Sequence, residues 1–335
     1  MKIGAAVVTL IVLCFLDSQS HSEPREVREV HYQMGTLLDI TIWHSDVEEG
    51  KKILRRAVQE IHRLEEILSH YDPQSSLSLL NRQAGQGRAK IDPELFQLLA
   101  MATDFSIRTS GYFDVTVGPL VSLWQNAGEK GSLPEQAAIA QALDVVGYQK
   151  LKLYKNGEVK LVLKGMRIDL GGIGKGYAVD RIVSMMRKSG VDRALLNFGG
   201  SSIYALGSPP KENSWKINMR GTDEKFIGIL HLKDQALSTS GSMGRYWKIA
   251  GKRYGHLINP KDGLPVMEPR MATVIAETAT EAEALTKPMI ILGKKGMSMI
   301  KDFPQTEALL TSENGVLWSS DRFVSKTFFQ PIKNP

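Results

Sequence analysis

The sequence has very little cysteine, no repeat or low-complexity segment, and no block of basic residues. Its one cysteine, Cys14, lies in the apolar segment 3–16. If export removes this segment, the mature chain has no disulfide, thiol nucleophile or thiolate metal site, so any metal must be bound by oxygen or imidazole. The 42 Lys and Arg exceed the 36 Asp and Glu by only six. This mild, dispersed excess of positive charge is compatible with an anionic small-molecule ligand but argues against nucleic acid as a partner.

Residues 1–22 are typical of a secretory signal peptide. Lys2 is followed by a mostly apolar run and then by the polar stretch Asp17–Ser22. The run is shorter than the roughly 20 residues that span a bilayer. We expect export to the periplasm or cell envelope with cleavage near residue 20 or 22. A lipid anchor at Cys14 and an uncleaved anchor are the alternatives.

Residues 23–335 are expected to form a single large domain, either as one body or as two lobes. Hydrophobic residues make up 42% of the chain and charged residues 23%, as in ordinary soluble globular proteins. Helices and strands mix without a regular βαβ alternation, which predicts an α+β fold. Ser45–Glu48 resembles a capping box that opens a helix reaching Leu68. The other predicted helices are 93–109, 134–145, 174–189 and 280–292, and the predicted strands are 31–44, 150–154, 158–163, 194–206, 214–220, 226–232, 245–250, 271–277 and one near the C-terminus.

The glycine-rich segment Arg167–Asp180 is the first candidate ligand site. A short strand ends in glycines and leads into a helix, and a helix N-terminus offers free N–H groups to an anion. Gly174-Lys175-Gly176 lacks the Ser or Thr of a P-loop, and its glycine spacing is not that of a dinucleotide fingerprint. The segment is therefore either a phosphate-binding turn or a tight strand–helix connection.

Two further turns carry candidate polar groups. His256 lies beside Asn259-Pro260 and Asp262-Gly263, both turn formers, where a histidine can titrate near neutral pH or be purely structural. The segment Ala236–Gly241, which includes Ser240, is rich in hydroxyls. It could bind phosphate or ribose, or form an ordinary polar turn.

Two acidic segments complete the candidates. In the Gly/Pro-bounded loop Gly111–Trp124, Tyr112 and Phe113 precede Asp114, a pattern that suits stacking on a planar ring or packing in a core. In Glu277–Thr286, Glu283 is either a ligand of a hard cation or half of an exposed ion pair with Lys287 at i,i+4.

Taken together and in order, these segments resemble the ApbE family of flavin transferases, also called FAD:protein FMN transferases. The matching motifs run through most of residues 23–335: Met34-Gly35-Thr36, Tyr71-Asp72-Pro73 with Ser75, Leu77 and Asn81, Phe113–Trp124, Val146-Gly147-Tyr148, Asp169–Asp180, Asn197-Phe198-Gly199-Gly200, Thr239-Ser240-Gly241, His256–Gly263 and Val274–Leu285.

The resemblance implies mixed, largely antiparallel sheets with flanking helices. It also implies that FAD is bound with Mg²⁺, and that its FMN half is transferred to a Ser or Thr hydroxyl of a membrane or periplasmic target protein with release of AMP. His256 would then stand near the pyrophosphate and act in catalysis. The positions implied for FAD are Met34, Tyr71, Tyr112, Phe113, Asp114, Gly171, Tyr177, Asp180, Ser240 and Ile258.

The implied metal site departs from the family pattern. The Gly174 carbonyl would be one ligand, and Glu283 stands where the family has Asp. Lys287 stands where the family usually has Thr, and a charged lysine cannot ligate magnesium. Thr286 could supply the oxygen, water could fill the position, or the Lys287 ammonium could partly replace the cation. The alternatives to transfer are accordingly an FAD-binding envelope protein without activity and an FAD pyrophosphatase.

Overall fold

The fold was determined from a computed structural model that describes residues 23–222, 225–313, 315–325 and 329–331. The predicted signal peptide, with Cys14, lies outside these residues. No helix of the described residues combines the length and apolar character needed to cross a bilayer.

The described residues form helices and strands that follow one another along the whole chain. The helices are α1 (Val47–Leu68), α2 (Ser76–Arg82), α3 (Pro93–Arg108), α4 (Gly118–Lys130), α5 (Gln136–Asp144), α6 (Gly174–Lys188), α7 (Ala279–Leu292) and α8 (Asp321–Ser325), with 3₁₀ segments at Tyr148–Lys150 and Gly293–Asp302. The strands are β1 (Arg25–Gln33), β2 (Thr36–His44), β3 (Ala89–Lys90), β4 (Leu151–Leu153), β5 (Glu158–Leu161), β6 (Ala194–Phe198), β7 (Ser202–Leu206), β8 (Trp215–Arg220), β9 (Phe226–Leu232), β10 (Gln235–Gly241), β11 (Tyr246–Ile249), β12 (Lys252–Gly255), β13 (Arg270–Ala276), β14 (Glu307–Ser312), β15 (Leu317–Ser319) and β16 (Phe329–Pro331).

An eight-stranded sheet organises the molecule, in the order β1-β2-β6-β7-β10-β13-β14-β15. Three small sheets accompany it, in the orders β11-β12, β16-β9-β8 and β3-β5-β4. The strands of every named pair in the described residues run antiparallel. The predicted α+β class with largely antiparallel sheets is confirmed.

Both faces of the main sheet are covered. Helices α1, α6 and α7 pack on one face, and the sheet of β8, β9 and β16 packs near the other. The period of two along β10 shows the division, because Ala236 belongs to the helix-side core and Leu237 to the core of the opposite face. A third, smaller core lies around Trp124 on α4, with Ile249 and Ile258.

Helix α1 forms where the apolar periodicity predicts it. Ile53, Ala57 and Ile61 repeat every four residues and are fully buried. The N-cap is Asp46 rather than Ser45 of the predicted capping box, since the Asp46 carboxylate accepts from the amides of Glu48 and Glu49. This helix presents its buried stripe to the first two strands.

Two long predicted strands are each divided into a hairpin. The segment 31–44 reverses at Met34 and Gly35, which have φ of 45° and 74°. The segment 194–206 reverses at Gly199 and Gly200, which both have φ of 66°. Positive φ values interrupt an extended strand, so the prediction of one strand in each segment, which followed from the continuous run of β-forming residues, was wrong.

Three shorter predictions also required correction. Gly111–Trp124 is not wholly a loop, because α4 begins at Gly118 with Pro119 in its first turn, where proline is tolerated. Ala236–Gly241 is not a turn but most of a strand, β10, inside the main sheet. The pair Asn156-Gly157 predicts a type I′ turn between the strands 150–154 and 158–163; the hairpin β4–β5 is present there, but only Gly157 has positive φ, so its turn is not type I′.

Candidate active site

The site is built where α6 and α7 approach each other most closely. A Cβ on Gly176 in the first turn of α6 would lie 2.3 Å from the carbonyl oxygen of Ala279, the first residue of α7. Only a residue without a side chain permits this contact. The glycine-rich segment therefore serves helix packing at Gly176, while Gly171 and Gly174 lie in the exposed turn and at the start of the helix.

Glu283 on α7 is the carboxylate at the centre of this junction. Its Oε1 accepts from Nζ of Lys175 at 2.9 Å, and its Oε2 accepts from the Gly176 amide at 2.5 Å. Burial opposes ionisation of Glu283, but the Lys175 and Lys287 ammoniums outweigh it and hold its pKa below the usual range. The expected exposed pair is thus a buried cluster, with Glu283 only 2% exposed.

Lys287 directs its ammonium into the same cluster. Its Nζ donates to the Glu283 carbonyl at 3.0 Å and lies 3.5 Å from Oγ of Ser240 and 3.9 Å from Oε1 of Glu283. Burial lowers the pKa of Lys287 to about 8, with the Glu283 carboxylate opposing the shift and Lys175 adding to it. Two ammoniums consequently surround one carboxylate.

Thr286 and Ser240 complete the cluster with hydroxyls. The Thr286 hydroxyl donates to the Glu283 carbonyl at 2.8 Å and lies 2.9 Å from the Ser240 hydroxyl. Because Ser240 is on β10, these bonds fix α7 to the main sheet. The described residues contain no group of three or more His, Cys, Asp or Glu side chains that could hold a metal ion.

Asp180, which is predicted to contact FAD, holds the N-terminus of α7. Its carboxylate accepts from the Ala279 amide at 2.7 Å, from the Thr280 amide at 2.8 Å and from the Thr280 hydroxyl. Burial raises the pKa of Asp180 to about 6 against these three bonds. These bonds join α6 to α7, and the contact of Asp180 with FAD stays a prediction.

His256, the predicted catalytic residue, follows β12 and remains solvent-exposed. Its Nδ1 lies 2.9 Å from the Arg245 carbonyl, which also accepts from the His256 amide. A carbonyl can only accept, so Nδ1 carries the proton and Nε2 is left with a free lone pair. Partial desolvation by the surrounding protein groups lowers the pKa of His256 despite the Arg245 carbonyl, and the charges of Lys287, Arg245 and Lys175 lower it further.

The Asp114 loop is a preorganised turn whose carboxylate is 7% exposed. Oδ1 of Asp114 accepts from the amide and hydroxyl of Thr116 at 2.8 and 2.7 Å, and Oδ2 accepts from the Tyr148 amide at 2.7 Å. Burial raises its pKa, while these bonds and the charge of Lys261 oppose the rise. The Lys261 ammonium also lies 5.5 Å from the centre of the Tyr112 ring, a cation–π contact.

Gly172 connects this loop to the lysine cluster. A Cβ built on it would lie 3.3 Å from Cε of Lys287 and 3.5 Å from Cε2 of Phe113. The structure thus brings together the aromatic loop, the glycine-rich turn and α7.

Several predicted FAD positions lie elsewhere or bury their side chains. Tyr177 is 3% exposed and its hydroxyl bonds Glu94 at 3.0 Å in the core, while Phe113 and Ile258 are also buried, at 4%. Tyr71 is 82% exposed and stacks on His70. Their place at FAD stays a prediction.

Met34 and Gly171 occupy exposed or half-exposed turns. The Met34 amide donates to Oε1 of Glu65 at 2.5 Å from a backbone with φ of 45°, and the Gly171 amide donates to Oδ1 of Asp169 at 2.7 Å. Each turn is held by a carboxylate from the protein itself. Their place at a ligand stays a prediction.

Sequence reasoning missed the groups that position the site. Arg245 and Glu94 each bond a predicted residue from a distant segment, and Tyr148, which belongs to a matching motif, does so through its amide. No local pattern marks such partners, because the bonds join segments 11 to 83 residues apart.

Comparisons with known proteins place the chain in a family of flavin transferases. The model of the ApbE family matches residues 34–310, and the chain belongs to that family. FAD:protein FMN transferases of Treponema pallidum and Buchnera aphidicola are each 28% identical to it, over 90% and 95% of this chain and 89% and 96% of the relatives.

Solved structures of flavin transferases have a similar fold. The ApbE protein of Thermotoga maritima superposes with a TM-score of 0.81 at 28% identity, over 91% of this chain and all of that one. The flavin transferase ApbE of Vibrio cholerae gives 0.79 over 90% of this chain and 99% of that one, and at 22% identity it supports the fold alone.

Proposed function

We propose that this protein is an exported enzyme that transfers the FMN half of FAD to a Ser or Thr hydroxyl of a periplasmic or membrane flavoprotein subunit. The support is membership of the ApbE family together with one observation: Nδ1 of His256 lies 2.9 Å from the Arg245 carbonyl, which leaves Nε2 as the basic nitrogen. Desolvation, together with the charges of Lys287 and Lys175, lowers the pKa of this histidine. A neutral base beside two ammoniums suits attack of a hydroxyl on a phosphate.

The reaction is a phosphoryl transfer whose atoms balance without a further reactant. The acceptor oxygen bonds the phosphorus of the FMN half while the bond from that phosphorus to the bridging oxygen breaks. Nε2 of His256 takes the hydroxyl proton, and AMP leaves with the bridging oxygen. The ammoniums of Lys175 and Lys287 stabilise the negative charge that develops on the phosphate oxygens.

The protein would position the substrate mainly through groups that are already fixed. The Arg245 carbonyl holds the His256 ring in one tautomer, so that its basic nitrogen does not depend on substrate binding. The Asp114 turn, held by Thr116 and Tyr148, fixes the loop that carries Tyr112. Such preorganisation reduces the rearrangement needed at the moment of reaction.

Magnesium, which the resemblance implies, does not fit the residues present. Both oxygens of Glu283 already accept from Lys175 and Gly176, and the Lys287 ammonium lies 3.9 Å from Oε1. A divalent cation at this carboxylate would be repelled by two neighbouring positive charges. We therefore derive no step through a metal.

The proposed function is tested by incubating the purified protein with FAD and an exported flavoprotein subunit. We expect the subunit to gain the mass of FMN and AMP to appear in equal amount. His256→Asn should lower the rate by about 100-fold or more, as loss of general base catalysis does, and leave FAD binding intact. His231→Asn, on β9, is the matched control and should keep the rate.

The products separate the alternatives. Free FMN and AMP formed without the subunit would identify a pyrophosphatase, with water as the acceptor. FAD bound without any product would identify a binding protein. Either outcome contradicts transfer.

A further inference from the structure

We propose that Lys287 is the resident cation of the flavin site: its ammonium, in place of a divalent ion, faces the diphosphate of FAD, so that FAD binds without added metal. The inference deepens the proposed function and depends on it. It assigns to Lys287 direct contact with the ligand's phosphates.

The first support is the position of the ammonium. Lys287 Nζ lies among three oxygen atoms, from the Glu283 carbonyl, the Ser240 hydroxyl and the Glu283 carboxylate, at 3.0, 3.5 and 3.9 Å. A carbonyl, a hydroxyl and a carboxylate are the kinds of oxygen that coordinate a hard cation. The ammonium thus occupies a place built from cation ligands.

The second support is that the remaining oxygens are bonded within the protein. The Glu283 carboxylate accepts from Lys175 and from the Gly176 amide, and the Thr286 hydroxyl is bonded to Ser240 and to the Glu283 carbonyl. A metal ion would have to break these bonds and displace the ammonium. The described residues supply no other cluster of acidic or imidazole ligands in compensation.

The third support is the charge and its direction. One carboxylate and two ammoniums leave the cluster with a net charge of +1 when His256 is neutral, which attracts the two negative charges of a diphosphate. The side chains of Lys175 and Lys287 are 24% and 15% exposed, so both reach an opening, whereas Glu283 is 2% exposed. The accessible part of this cluster is therefore cationic.

The fourth support is what lies next to the ammonium. A Cβ built on Gly172, in the glycine-rich turn, would lie 3.3 Å from Cε of Lys287. A side chain larger than that of glycine at residue 172 would press on the lysine. A phosphate at this turn would meet the Lys287 side chain.

The experiment measures the affinity for FAD by flavin fluorescence, using metal-free protein in EDTA and in excess MgCl₂. The wild-type protein should bind FAD equally, within about twofold, in both conditions. Lys287→Thr, which removes the charge and adds a hydroxyl, should lose about tenfold or more in EDTA, as expected for a charge-assisted contact, and recover in MgCl₂. Lys294→Thr, at an exposed lysine just after α7, should behave as the wild type.

Two additional measurements prevent a folding defect from deciding the result. Riboflavin lacks the diphosphate, so its affinity should be the same in wild type and Lys287→Thr if the variant is folded. Lys287→Met keeps the length of the side chain without the charge, and should also lose affinity for FAD in EDTA. Equal loss for riboflavin and FAD would overturn the assignment of Lys287 to the phosphates.

Failure of the inference and failure of the proposed function give different results. Wild-type protein that binds FAD only with MgCl₂ would overturn the inference and leave flavin transfer standing. Protein that binds no FAD in either condition would overturn the proposed function itself. Manganese is a direct probe, because Mn²⁺ bound by the ligand-free wild-type protein in an electron paramagnetic resonance titration would also overturn the inference.

Discussion

Two carboxylates bind α6 and α7 to each other, and they do so in opposite ways. Asp180 on α6 accepts from the first amides of α7, and Glu283 on α7 accepts from the Gly176 amide in the first turn of α6. The Asp180 carboxylate is bonded to neutral donors, whereas that of Glu283 is also paired with Lys175 and lies near Lys287. Burial raises the pKa of Asp180, while the two ammoniums bring that of Glu283 below its usual range.

This difference separates a structural carboxylate from one that belongs to a charged site. Helix N-termini favour an acceptor in both cases, because their amides lack partners within the helix. Only Glu283 is surrounded by more positive charge than it can neutralise. The surplus of positive charge, rather than burial or hydrogen bonding, distinguishes Glu283 from Asp180.

The largest effect is expected for Glu283→Gln. The substitution leaves two largely buried ammoniums without their carboxylate, so the free energy of unfolding should fall by about 3–5 kcal/mol. Urea unfolding measures the change, with Glu277→Gln at an exposed position as the control. Adding Lys287→Thr to Glu283→Gln should recover part of the loss, and absence of any recovery would contradict the charge-based explanation.

The pH dependence of stability should have opposite signs for the two carboxylates. The raised pKa of Asp180 gives a stabilisation that is complete below its usual value of 3.8 and is lost as the pH rises through about 6. The lowered pKa of Glu283 gives a stabilisation present above its usual value of 4.5 and lost as the pH falls. The Asp180 contribution, a shift of two units, is at most about 3 kcal/mol.

Unfolding free energies of wild type and Asp180→Asn between pH 4 and 8 test this contrast. The difference between the two proteins should change mostly between about pH 4 and 6. A difference that is constant over this range would show that Asp180 does not titrate there.

A smaller effect is expected where the helices touch. Gly176→Ala places a Cβ against the Ala279 carbonyl and should destabilise the protein by about 2 kcal/mol, a typical cost of overpacking. Gly174→Ala is a matched control in the same turn, since its Cβ would have its nearest contact at 3.9 Å. Thermal unfolding compares the two, and equal stability would argue against a close helix contact.

The smallest effect is expected at the cap of α7. The Thr278 hydroxyl accepts from the Glu281 amide, so Thr278→Ala should lower the free energy of unfolding by about 1 kcal/mol. Thr278→Ser keeps the hydroxyl and should therefore retain most of this stabilisation. Because Asp180 accepts from different amides of the same turn, Thr278→Ala should cause a similar loss of stability in a protein that also carries Asp180→Asn. A much larger loss there would show that one cap substitutes for the other.

The sequence predicted the elements that repeat an unambiguous pattern. The apolar periodicity of α1, the glycine-to-helix transition at α6 and the position of α7 were all correct within a few residues. The prediction was wrong where the residue composition is typical of a turn or loop but a strand or helix forms. The hydroxyl-rich β10 is a central strand because its small side chains fit beneath α7, and Gly118-Pro119 begins a helix rather than continuing a loop.

Within the site, local spacing gave only part of the answer. The i,i+4 relation between Glu283 and Lys287 holds, but the closer ammonium is that of Lys175, 108 residues away. Tyr177 and Asp180 lie in the right segment, yet their side chains bond Glu94 and Thr280 from other helices. Such pairings depend on how helices pack, which a single sequence does not specify.

The main sheet ends in two edges that differ in length, nine residues in β1 and three in β15. A long open edge invites pairing with another chain. Along β1, charged residues such as Arg25, Glu26 and Arg28 stand in exposed positions, and Arg28 forms a bidentate pair with Asp39 on β2. These charges and the brevity of the other edge discourage edge-to-edge pairing, while the exposed side chains of Val30 and Tyr32 leave part of β1 apolar.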